Sequence, residues 1–174
     1  MSLRIRIMQT MLWASTVAWG VGLGAKVFDL LVVAGAWGAS PPDSFALLPY
    51  GPKYPVNPGS FFQPLSVLMA LTLAGALIAG WRQPRPLRRW LMTGVSAFVV
   101  IWAITPTIFW PMINAQYAIA TGKAIASAAE ADELTARWIA WDWFRVALIA
   151  VGFFASLRAL TLATVGLVQT EGDV

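Results

Sequence analysis

Four ionisable residues interrupt otherwise apolar stretches of this chain: Lys26 and Asp29 near the end of the first, Asp142 and Arg145 within the last. A charge inside a membrane span costs from a few kcal/mol on insertion scales to ~10 or more in simulation, so it persists only when paired or facing a polar cavity. Two carboxylates beside two cations have the means for one kind of chemistry. A carboxylate takes an acidic proton, and a neighbouring ammonium or guanidinium holds the phenolate or enolate that results. Asp142 or Asp29 is the candidate base, with Arg145 or Lys26 as its electrostatic partner. The same residues also suit a framework role, in which Lys26 pairs with Asp142 and Asp29 with Arg145 to fix the register of two helices. The sequence leaves both readings open.

These side chains meet only if helices carry them to a common face. At about 100° per residue, Trp138, Trp141, Asp142 and Arg145 share a stripe that continues through Ile149, Gly152 and Ser156. The first helix groups Ser15, Trp19, Gly22, Lys26 and Asp29 in the same way. On both stripes small residues lie on one side of the charges, where another helix can approach closely. A third stripe joins Thr107, Trp110, Asn114, Tyr117 and Thr121, with Pro106 and Pro111 expected to bend that helix and free backbone carbonyls. Gln63 enters from the second helix. The expectation is one polar, aromatic chamber in the outer half, open to or lidded from the external side, in which the four charges act beside the ligand-binding residues Asn114, Trp110, Tyr117, Trp138, Trp141 and Gln63.

Composition fixes the setting. Hydrophobic residues make up 59% of 174 positions and charged residues 11%, and apolar runs of about 20 residues recur, which reads as an integral membrane protein. The fold class expected is all-α: one membrane domain over 1–174, a four-helix bundle with spans at about 7–37, 61–81, 90–117 and 136–168, and a Pro/Gly-rich external loop after the first helix. Arg4, Arg6, Arg82, Arg85, Arg88, Arg89 and Arg158 cluster on one side by this topology. Lys53, Lys123 and Arg137 lie on the other, so both termini are expected in the cytoplasm of a bacterial inner membrane. The net charge of +4 has the arginine pattern of membrane orientation, and no nucleic-acid partner is implied. Cysteine and histidine are absent, which removes disulfides, thiolate clusters and the usual zinc and haem ligands; no metal and no cofactor are expected.

The loop from Ser40 to Gly59 has too many prolines and glycines for a long regular element. Phe45, Leu47, Leu48, Tyr50, Tyr54, Phe61 and Phe62 give it the apolar weight to pack as a lid, with a plain connector as the alternative. Residues Thr121 to Glu133 read as a short helical or frayed connection. Trp13, Trp37, Trp81 and Trp90 sit where interfacial belts are expected. Arg4-Ile5-Arg6 before an apolar run also resembles a signal peptide, but the run resumes past Lys26, which favours an uncleaved span.

At Arg137-Trp138-Ile139-Ala140-Trp141-Asp142-Trp143-Phe144-Arg145-Val146, preceded by Trp110-Pro111-Met112-Ile113-Asn114, the chain resembles the anthrone-oxygenase-like family of four-helix membrane proteins, mainly over its C-terminal half. On that resemblance Asn114, Trp138, Trp141 and Arg145 occupy matching positions. Asp142 stands where asparagine is common, and Trp143 where histidine is common. If the family's chemistry needs that histidine as a base, this chain uses Asp142 instead or has lost the activity. Two functions compete: an oxygenase-like enzyme acting without a cofactor on a lipophilic aromatic ligand, and a non-catalytic accessory, scaffold, or lipid- or pigment-binding subunit. Membrane lipids are expected partners of either, a membrane-protein partner or homo-oligomer of the second. A transporter is a poorer third, because four helices without an evident repeat would need to oligomerise.

Overall fold

The computed structural model of the chain describes residues 2–49 and 57–171, with side chains as far as Thr164. Four helices are long and apolar enough to cross a membrane: α1 (Leu3–Trp37), α2 (Gly59–Gly80), α3 (Arg85–Ala120) and α4 (Ala128–Glu171). No strand occurs among the described residues. Threonine hydroxyls within the helices donate back to carbonyls one turn earlier, as from Thr16 to Leu12, Thr72 to Leu68 and Thr135 to Ala131. A hydroxyl in an apolar setting is satisfied in this way without breaking the helix.

α4 starts well before 136, where hydropathy placed it. Ser127 and Glu130 form a reciprocal cap: the Ser127 backbone N–H donates to Glu130 Oε2 at 2.8 Å and the Glu130 N–H to Ser127 Oγ at 3.3 Å. That box satisfies two of the N–H groups a helix start leaves open, so the acidic segment is helical from Ala128. The turn before it reverses at Gly122, whose φ of 71° suits glycine.

Two helices change pitch. α1 is regular from Leu3 to Phe28 and then widens into a π-type turn over Asp29–Val33. α3 widens over Thr105–Phe109, with Pro106 inside the turn and Pro111 just beyond it. Each proline removes a donor from the ladder. The Thr105 and Thr107 hydroxyls bond the nearby Ile101 and Ala103 carbonyls.

The chain packs as two compact units, one made of Met1–Leu23, Pro64–Val100 and Leu148–Val174, the other of Gly24–Gln63 and Ile101–Ala147. The first unit joins segments of all four helices around Met8, Leu12, Ala76, Leu87, Leu91, Ala159 and Leu160. Small residues let backbones close in, as the stripe pattern requires. Ser15 and Ser156 hydroxyls lie 3.1 Å apart, and a side chain at Gly152 would run into the Trp19 ring. In the second unit the loop after α1 folds into a five-residue 3-10 turn, Asp43–Leu47, which buries Phe45 and packs on α3. Of the residues expected to form a lid, Phe45 and Leu48 are buried and Leu47 is exposed. Tyr50, Lys53 and Tyr54 lie outside the described residues.

A candidate charge cluster walled by aromatic rings

Lys26, Asp29, Asp142 and Arg145 come together in the second unit as a chain of alternating sign. Lys26 Nζ lies 2.5 Å from Asp29 Oδ2 and 3.0 Å from Asp142 Oδ2. Asp142 Oδ1 accepts from Arg145 Nε at 2.8 Å and also from Arg145 Nη2. The order is therefore Asp29, Lys26, Asp142, Arg145. Lys26 with Asp142 is the interhelical pair read from the stripes. The pairing of Asp29 with Arg145 is corrected: each instead finds its partner three residues away on its own helix. Asp29 opens the π-type turn, so its direction no longer follows the 100° step that relates it to Lys26 and Trp19.

Burial differs along the chain. The Asp142 side chain is fully buried and that of Lys26 is 5% exposed, whereas Asp29 keeps 13% and Arg145 14%. Asp142 Oδ2 has no well-aligned hydrogen bond although Lys26 Nζ is 3.0 Å away. The ammonium is directed at Asp29, so its hold on Asp142 is coulombic and undirected. Two negative and two positive groups cancel formally, as buried charges must.

Aromatic rings wall the cations. Lys26 Nζ sits 5.3 Å from the Trp138 ring centre and 5.5 Å from that of Phe62, and the Arg145 guanidinium carbon lies 3.8 Å from the Phe109 ring centre. A ring face attracts a cation, by up to about 2 kcal/mol where water is excluded. The rings also brace one another: Trp138 packs edge-on to Phe109 at 5.9 Å and to Trp37 at 5.0 Å, and Trp37 meets Phe45 at 6.2 Å. Trp37 therefore belongs to this buried wall and not to an interfacial belt, while Trp13, Trp81 and Trp90 are exposed.

The expected stripe on α3 is not the one turned to the cluster. Thr107, Trp110 and Asn114 are exposed and Tyr117 is half-buried; the buried face runs through Phe109, Met112 and Gln116. The stripe through the polar residues misses the apolar-inward face, and the widened turn at Thr105–Phe109 shifts the register further. Trp138 is buried at the cluster, Trp141 is half-buried against Phe144, and Gln63 is exposed. Three grooves on the described surface are lined by other residues and involve none of the four charged ones. The stripe through polar residues missed Phe109, and Phe62, expected only as lid packing, lies against Lys26. The signal for Phe109 was its seven-residue spacing to Gln116, two turns on one face.

A family profile for anthrone oxygenase matches residues 56–155, more than half of the sequence. The chain belongs to the anthrone oxygenase family. The match reaches from the start of α2 into α4, further toward the N-terminus than the C-terminal motif alone indicated. No curated protein and no solved structure matches the chain. Asp142, Arg145, Trp138, Phe109 and Phe62 lie inside the anthrone oxygenase match, and Lys26 and Asp29 outside it.

Proposed function

We propose that the chain binds a lipophilic aromatic carbon acid of the anthrone class from the bilayer and oxygenates it with dioxygen. The reaction turns the ring methylene into a ketone: one methylene and one dioxygen give one carbonyl and one water. The carbon loses four electrons, dioxygen takes them, and the second oxygen leaves as water with the two hydrogens. A base must first remove a methylene proton so that the electron-rich carbanion can react with dioxygen. The observation that carries the reading is the graded burial of the charge cluster. A proton-transfer group has to touch its substrate, and of the two carboxylates only Asp29 retains surface while Asp142 has none. Asp29 is then the base. Lys26 and Arg145 stabilise the anion, the aromatic wall receives the rings, and Asp142 is a positioning residue that holds both cations. Asn114, Trp110, Tyr117, Trp141 and Gln63 have no part in this reading.

Ligand binding tests it without chemistry. Full-length protein in nanodiscs, kept free of oxygen and titrated with an anthrone, is expected to bind beyond what empty nanodiscs absorb. Arg145→Gln is expected to weaken binding about tenfold or more, since a charge-assisted contact is worth roughly 1.5–3 kcal/mol. Equal uptake by empty nanodiscs sinks the proposal.

One observation favours a second reading, an accessory or scaffold subunit. The cluster is charge-balanced, as a framework pin would be, and Trp13, Trp102, Trp110 and Trp143 stand exposed on the apolar surface. On that reading, replacing those tryptophans releases a membrane partner and leaves anthrone binding absent. In both readings the termini are cytoplasmic and the membrane is a bacterial inner membrane. The chain has no cysteine, so a single cysteine at Gln83 reports orientation: it is expected to resist impermeant reagent on intact cells, and labelling from outside reverses the topology.

A further inference from the structure

We propose that the first unit carries a docking groove for one anionic phospholipid, with the headgroup on Arg88 and Arg89 and an acyl chain along Met92, Val100, Leu148 and Val151. A groove of about 630 Å³ runs between these side chains of α3 and α4. Its two ends differ in chemistry. At one end are Arg88 and Arg89; along the rest the exposed apolar Met92, Val100 and Val151 predominate over Thr93 and Ser96.

Charge complementarity selects the occupant. The unit holds Arg4, Arg6, Arg82, Arg85, Arg88, Arg89 and Arg158, and none of its described side chains is acidic. No ion pair involves any of these arginines among the described residues. Arg4 donates to the carbonyls of Ile78 and Ala79 at the end of α2. Arg88 has a cation–π contact with Trp81, its guanidinium carbon 5.5 Å from the ring centre. Anionic headgroups are the counter-charge a bilayer supplies, and basic pockets between membrane helices bind them. Length fits as well. Residues 88 to 100 of a helix rise about 18 Å, close to the ~15 Å half-thickness of the hydrocarbon core. Free phosphate would satisfy the arginines but leave the apolar wall uncovered.

Native mass spectrometry of the full chain, purified in a zwitterionic detergent, decides it with phosphatidylglycerol, phosphatidylcholine and inorganic phosphate as probes. The expected result is one retained phosphatidylglycerol, with phosphatidylcholine and phosphate not retained. Each arginine near an anionic lipid is worth about fivefold, so the double variant Arg88→Gln, Arg89→Gln should bind about 25-fold more weakly. Val100→Trp, which fills the tail end and spares the arginines, should weaken it too. The control Arg82→Gln, Arg85→Gln lies outside the groove and should bind as the native protein does. Equal loss in that control, equal retention of phosphatidylcholine, retention of phosphate, or unchanged binding in Val100→Trp overturns the proposal.

Discussion

Asp142→Asn is expected to destabilise the protein by about 3–5 kcal/mol, the usual cost of removing one partner from a buried charge pair. Asparagine keeps the shape and loses the charge, so packing losses are small and electrostatics dominate. The carboxylate is fully buried, and its two oxygens face different cations, Lys26 and Arg145. Without it Lys26 still has Asp29, but among the described residues Arg145 keeps only the Phe109 ring. The Arg145 side chain is 14% exposed and recovers some hydration, which places the cost nearer the lower figure. Unfolding of the detergent-solubilised protein by a graded denaturing detergent measures it. Adding Lys26→Met should cost less than the two single changes summed, because the second change removes a charge already deprived of one partner. A single variant as stable as the native protein contradicts the buried chain of charges.

The second large effect concerns the close approach of α1 and α4 in the first unit. Gly152→Val puts a branched side chain where its first carbon already overlaps three atoms of the Trp19 ring. That ring cannot retreat freely: Trp19 is fully buried and meets Phe98 edge-on at 6.4 Å. Overpacking of this kind costs about 1–3 kcal/mol, and a backbone shift adds to it. Trp19→Leu alone leaves a cavity and costs a few kcal/mol. Combined, the two changes should couple favourably by about 0.5–3 kcal/mol, since the smaller side chain makes room for the valine. Denaturation of the four proteins gives the coupling directly, and strictly additive losses exclude the contact.

How far the sequence could be read depended on where the helices stay regular. α4 runs unbroken from Ala128 to Glu171 and α1 from Leu3 to Phe28, so a 100° step carried Gly152, Ser156, Asp142 and Lys26 to their observed contacts. The four apolar stretches were legible for the same reason that membranes demand them. Legibility failed at both widened turns. Asp29 begins one, and its predicted partner Arg145 pairs elsewhere; Phe109 ends the other, and the α3 stripe drawn through Trp110 and Asn114 faces outward. A π-type turn is a tertiary compromise between helices, with prolines as its only local trace in α3 and none in Asp29–Val33. Trp37 was misplaced because an indole near a helix end suits an interface or a core equally. Only its packing on Phe45 and Trp138 decides between them.

Asp29, the carboxylate of the charge chain that retains surface, is proposed to take the proton that starts oxygenation, and the whole functional reading turns on that step. Dioxygen uptake by the full chain in air-equilibrated nanodiscs supplied with an anthrone probes it, comparing native protein with Asp29→Asn. The native protein should consume one dioxygen per quinone formed. Removing one partner of Lys26 costs some stability, so rates are compared per folded protein: the Asp29→Asn rate should be lower by about 100-fold or more, the least that a general base contributes, with anthrone binding retained. A folded Asp29→Asn protein that consumes dioxygen at the native rate, or a native protein no faster than empty nanodiscs, contradicts it.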